Sequence, residues 1–89
     1  MRASITVRGV VQGVGYRFFV LKQARLYNVN GFVRNMPDGT VQVVAEGTKG
    51  VLNEFIEQLR IGPVSAHVTG MEVEWSEEEN RISGFRLER

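Results

Sequence analysis

Apolar residues in this chain recur with two different periods, and the order in which those periods alternate restricts the fold more than any other feature. Residues 3–10, ASITVRGV, set Ala3, Ile5 and Val7 against Ser4, Thr6 and Arg8, the two-residue period of a strand with one buried face. From Tyr16 to Tyr27 the period lengthens. Tyr16, Phe19, Val20, Ala24 and Tyr27 fall on one side of a helix, leaving Lys22, Gln23 and Arg25 for water. Asn28 follows, a residue that tolerates the left-handed conformation in which helices often end. Residues 31–35, GFVRN, and 40–46, TVQVVAE, flank MPDG, where Pro presets a dihedral, Asp bonds nearby backbone and Gly accepts positive φ, so a hairpin is predicted.

The helical period returns in KGVLNEFIEQLRIG, with Leu52, Phe55, Ile56 and Leu59 on one face and Gly62 and Pro63 as the stop. HVTGMEVEW then alternates Met71, Val73 and Trp75 against Glu72 and Glu74, and FRLER adds a short final strand. Strand, helix, strand, strand, helix, strand in 89 residues predicts one domain over 1–89. The most economical packing is the α+β, ferredoxin-like split βαββαβ sandwich: a four- to five-stranded antiparallel sheet with both helices on one face.

Charge and composition narrow the function. A net charge of +1 gives no global field for nucleic acid or an anionic membrane, so any anion must be gripped locally. Of the 11 basic residues, 9 are Arg, whose planar guanidinium holds phosphate or carboxylate through paired hydrogen bonds. Cysteine is absent, which removes disulfides and thiolate chemistry and suits a cytoplasmic protein. No apolar run approaches the ~20 residues of a membrane span, and MRASITVRG lacks the apolar centre of a secretory signal.

The segment GVVQGVG, between the first strand and first helix, concentrates glycine where successive N–H groups can curl into an anion-binding nest at a helix N-terminus. Arg17 occupies the first helical turn, where a cation opposes the helix dipole unless a bound anion compensates it. A simple strand-to-helix turn explains the glycines as well. The spacing is neither a dinucleotide fingerprint nor a P-loop, since no Gly-Lys-Ser/Thr follows.

These residues also resemble a family. Gly9, Val11, Gln12, Gly13, Val14, Tyr16 and Arg17 fill every specified position of the first signature of the acylphosphatases, small hydrolases of carboxyl-phosphate anhydrides. Gly31, Phe32, Val33, Arg34, Asn35, Gly39, Val41 and Gly47 fill the second. The resemblance implies that Gln12, Gly13, Val14, Gly15, Tyr16 and Arg17 form the phosphate cradle, with Arg17 clamping phosphoryl oxygens. It also implies that Asn35 orients the attacking water. By spacing alone Asn35 reads as a polar strand-end residue before a turn; the two signatures together reverse that reading. Met36 departs from the polar residue that many relatives carry there.

The chemistry implied suits a chain with no obvious general base. The only His is His67, outside both signatures and read as a surface imidazole at a strand end. The carboxylate expelled from an acyl phosphate has a conjugate acid of pKa about 4 to 5, so it leaves unprotonated at neutral pH. Backbone donors and Arg17 supply the positioning and electrostatics that phosphoryl transfer needs. Asn35 would position the water through its amide oxygen, its NH2 being held by neighbours, while the water's proton passes to the substrate. No metal or cofactor is expected. The partners expected are a small-molecule acyl phosphate, inorganic phosphate as product and inhibitor, no nucleic acid and no membrane, for a monomer.

Arg34 points to the opposite face of its strand from Asn35 and reads as a surface residue. Tyr16, Phe19 and Phe32 read as packing aromatics, and SEEEN, residues 76–80, as a solvated turn. The main competing reading is an RNA-binding, phosphate-binding or carbamoyl-phosphate-binding module of the same fold without hydrolytic activity. RNA-binding sheets of this kind stack bases on aromatics of their central strands, and TVQVVAE has none. The short chain length favours a stand-alone protein over a domain of a larger carbamoyl-phosphate-processing one.

Overall fold

The computed structural model describes residues 1–78 and 82–89. The elements follow the predicted order: β1 (Arg2–Val10), α1 (Tyr16–Tyr27), β2 (Asn30–Asn35), β3 (Val41–Glu46), α2 (Lys49–Ile61), β4 (His67–Ser76) and β5 (Phe85–Glu88). They form the ferredoxin-like α+β arrangement, with one five-stranded sheet ordered β4-β1-β3-β2-β5. The antiparallel expectation holds for the four long strands. It fails at one edge, where β5 runs parallel to β2 from Gly31↔Phe85 to Arg34↔Glu88, making the sheet mixed. The solvated turn expected over 76–80 extends beyond the described residues at 79 and 80.

Strand parity determines what faces the helices. Ala3, Ile5 and Val7 of β1, Val33 of β2, and Val41, Val43 and Ala45 of β3 are all fully buried against the helical layer. Tyr16, Val20 and Ala24 of α1 meet Leu52, Phe55, Ile56 and Leu59 of α2 over that surface. Each fully buried large apolar side chain contributes about 1.5–3 kcal/mol of transfer free energy, so this single core dominates stability. Trp75 continues the core-facing row opposite Ala3 but remains 37% exposed. Its row continues through Met71 and Val73, which are only partly buried on this edge strand, and the Lys49 ammonium lies 5.6 Å from the indole centroid.

Local chemistry ends the elements where the sequence places the signals. Asn28 closes α1 at φ 55°, ψ 43°, its N–H directed to the Ala24 and Arg25 carbonyls. Thr48 caps α2 by accepting from the Val51 N–H at 3.4 Å. In the β2–β3 turn, Asp38 Oδ1 accepts from the Thr40 N–H at 3.0 Å and from the Thr40 hydroxyl at 2.7 Å. These bonds hold the Asp38 carboxyl below its ordinary pKa.

Candidate active site

Three pieces of chain converge at one end of the sheet: the loop between β1 and α1, the C-terminal end of β2, and the carbonyl of Glu88. Val11, Gly13, Gly15, Tyr16, Arg17, Phe18 and Asn35 line a single concavity of about 210 Å³. Arg17 and Asn35 lie 18 residues apart in the chain yet share this wall because of strand parity. Val33 faces the helices, so Asn35, two residues on, faces the same way, toward the first turn of α1.

Gly13 and Gly15 adopt φ of 74° and 79°, left-handed backbone that a Cβ would strain. Among the described residues, nothing lies within 4 Å of where either Cβ would stand, so the loop presents bare backbone on that side. Gly15 is also the N-cap of α1, accepting from the Phe19 N–H at 3.1 Å. Among the described residues, no protein acceptor takes the amide hydrogens of Gln12 through Phe18. Successive donors, the first turn of a helix and a guanidinium thus surround one small concavity, an arrangement that favours an anion.

Two side chains fasten this loop to the scaffold. Gln12 Nε2 donates to the carbonyl oxygens of Met36 and Thr40, at 2.8 Å each, so its amide staples the loop to the turn that follows Asn35. Ser65 donates its hydroxyl proton to the Val14 carbonyl at 2.8 Å. Because the peptide is planar and trans, that bond turns the Gly15 N–H to the opposite side of the chain. Gln12 and Val14, both expected in the cradle, therefore do not line the concavity with their side chains: Gln12 braces, and Val14 packs against the core.

Tyr16 is a wall of the site only through its position in the chain. Its ring is buried and its hydroxyl donates to the Leu59 carbonyl at 2.7 Å, joining the start of α1 to the end of α2. Burial pushes the phenol above its ordinary pKa, so it stays neutral at ordinary pH. Arg17 is half-buried, with Nη1 donating to the Glu88 carbonyl at 3.1 Å. One arm of the guanidinium is thereby anchored, while among the described residues none takes a hydrogen bond from Nε or Nη2.

Asn35 Oδ1 is buried and has no hydrogen-bond partner among the described residues. Nor does any described group hold its Nδ2, contrary to the expectation that neighbours fix the NH2. Both ends of the amide are uncommitted beside the loop. An unpaired buried acceptor costs about 1–3 kcal/mol, which marks the position as one that serves something other than stability. Arg34 stands on the other face, its Nε donating to Gln42 at 2.9 Å and its guanidinium 5.6 Å from the Phe32 centroid. His67 is exposed. Sequence reasoning did not single out Ser65 or the Glu88 carbonyl, because a loop hydroxyl and a backbone oxygen carry no residue-specific signature.

A family model described as Acylphosphatase matches residues 3–87. The acylphosphatase of Chlorobaculum tepidum is 45% identical over 86 residues, 97% of this chain and 94% of the relative. That of Thermus thermophilus is 47% identical over 81 residues, 91% of each. Among solved structures, the crystal structure of acylphosphatase from Bacillus subtilis superposes with a TM-score of 0.96 at 34% identity, covering 99% of this chain and 98% of that one.

Proposed function

The chain belongs to the acylphosphatase family, enzymes that hydrolyse the carboxyl-phosphate anhydride bond of small acyl phosphates, and on that premise we propose that the Gln12–Arg17 loop and Asn35 are its active site. What carries the assignment is one coincidence of position. The uncommitted amides, the anchored Arg17 and the unpaired Oδ1 of Asn35 all border the same 210 Å³ concavity.

The phosphoryl group enters the loop, where backbone N–H groups and the free arm of Arg17 hold its equatorial oxygens. Charge on those oxygens in the transition state is met by donors already in place, so little reorganisation accompanies the reaction. Asn35 Oδ1 accepts a hydrogen bond from the attacking water and sets it in line with the scissile bond. The water oxygen bonds to phosphorus as the anhydride P–O bond breaks, and the carboxylate leaves with the electron pair. One water hydrogen remains on the attacking oxygen and the other passes to a phosphoryl oxygen, giving carboxylate and dihydrogen phosphate. Neither a protein base nor a metal ion is needed, because the leaving group is weakly basic and Arg17 supplies the positive charge.

In this reading residues 1–89 act as one domain, a cytoplasmic monomer inhibited competitively by inorganic phosphate. The purified protein should hydrolyse benzoyl phosphate with EDTA leaving turnover unchanged. Absence of hydrolysis, together with RNA binding at physiological salt, would replace the enzymatic reading with the binding-module one.

A further inference from the structure

A second apolar row runs along α1, separate from the one that packs on the sheet. Phe18, Leu21, Lys22, Arg25 and Leu26, at i, i+3, i+4, i+7 and i+8, line a surface groove of about 400 Å³. Phe18 and Leu26 are 66% and 69% exposed. Phe18 also lines the phosphate concavity, so the two share that residue as a wall.

In-line displacement determines which exit the acyl group takes. The attacking water and the leaving oxygen lie on opposite sides of phosphorus. With the water at Asn35, the acyl group departs away from Asn35. Another groove, lined by Arg34, Met36, Pro37 and Arg89, shares Asn35 with the concavity, the residue assigned to the water. The α1 groove shares Phe18 with the concavity and does not include Asn35.

Resting on the active-site assignment above, we infer that the outer groove of α1, which shares Phe18 with the concavity, is the acyl-group subsite and selects acyl phosphates with an apolar acyl group. From Phe18 to Leu26 the helix rises about 12 Å, about the length of an extended ten-carbon chain, so an octanoyl group spans most of it. Lys22 and Arg25 also line the groove, and side chains of this kind can cover apolar surface with their stems while their charges stay in water.

The test is steady-state hydrolysis of acetyl, butyryl, octanoyl and succinyl phosphate by the wild-type protein and by Leu26→Gln, a substitution at an exposed helical position with a good helix former. KM should fall about tenfold from acetyl to octanoyl phosphate with kcat unchanged, since an open groove realises only part of the gain of full burial. Leu26→Gln should remove most of the octanoyl gain and leave acetyl and butyryl phosphate unaffected. A KM independent of chain length, or an octanoyl gain that survives Leu26→Gln, overturns the subsite. So does a preference for succinyl over butyryl phosphate, which would send the acyl group toward Arg34 and Arg89. Concentration-dependent sedimentation abolished by Leu26→Gln, with no chain-length effect, would give the groove to a second copy instead. If acetyl phosphate itself is not hydrolysed, the active-site assignment falls first and the subsite with it.

Discussion

The Nη1 of Arg17 donates to the carbonyl oxygen of Glu88 at 3.1 Å, so a backbone atom of β5 aims the guanidinium at the start of α1. The geometry separates Arg from Lys at this position more sharply than charge does. A guanidinium can spend one nitrogen on a carbonyl and still present others to phosphoryl oxygens, whereas an ammonium is a single point.

Arg17→Lys should therefore lose about 100-fold or more in kcat/KM for benzoyl phosphate while the fold is kept, the scale seen when a transition-state donor is removed. Activity within a few-fold of wild type, in a protein with an unchanged circular dichroism spectrum, would remove Arg17 from the phosphate grip.

Asn35→Ala should lower kcat by about 100-fold with little change in the inhibition constant of inorganic phosphate, because its amide is assigned to the water. Stability should hold or rise slightly, since the substitution removes a buried acceptor that has no described partner. Parallel loss of phosphate binding and kcat would recast Asn35 as a ligand of the phosphoryl group.

Gln12→Ala should cost about 1–2 kcal/mol in urea denaturation, the sum of two modest hydrogen bonds. The carbonyls it leaves keep one backbone partner each, Gly39 N–H on Met36 and Met36 N–H on Thr40. Activity should fall with stability, because the staple holds the loop against the turn beside Asn35. A variant as active as wild type would show that the glycine loop keeps its shape alone.

Asp38 makes the turn sensitive to acid. Its carboxyl is lowered by the Thr40 hydroxyl first and the Thr40 N–H next, from an ordinary value of 3.8. A depressed folded-state pKa adds stability that is present above about pH 4 and lost as pH falls through the lowered value. Asp38→Asn keeps an acceptor but does not titrate, so its Tm should decline less steeply than that of wild type as pH falls below about 4. Parallel Tm curves would show that the turn carboxylate has no part in acid unfolding.

Much of this architecture is written in local pattern. The α1 and α2 spans, the Asn28 helix end and the Asp38–Thr40 turn each follow from a few neighbouring residues with a stereochemical reason to be there. The pairing of β5 beside β2 is different, since four residues carry no register signal that identifies a partner more than 50 positions away. Within the site, Arg17 stands out as a cation in the first turn of a helix, whereas Asn35 reads by spacing as a strand-end residue and is singled out only by the family resemblance. The Gln12 staple was not, since its acceptors are the carbonyls of Met36 and Thr40, which any residue supplies equally. The departure at Met36 matters less for the same reason: what that position contributes here is backbone.

The parallel edge strand has a consequence for how the molecule comes apart. β5 is four residues long, pairs on one side only, and carries the carbonyl that aims Arg17. Edge segments of this kind open at lower free energy than the centre of a sheet. Hydrolysis should consequently fade at urea concentrations where far-UV ellipticity is still native, with hydrogen exchange quickening first at 85–88.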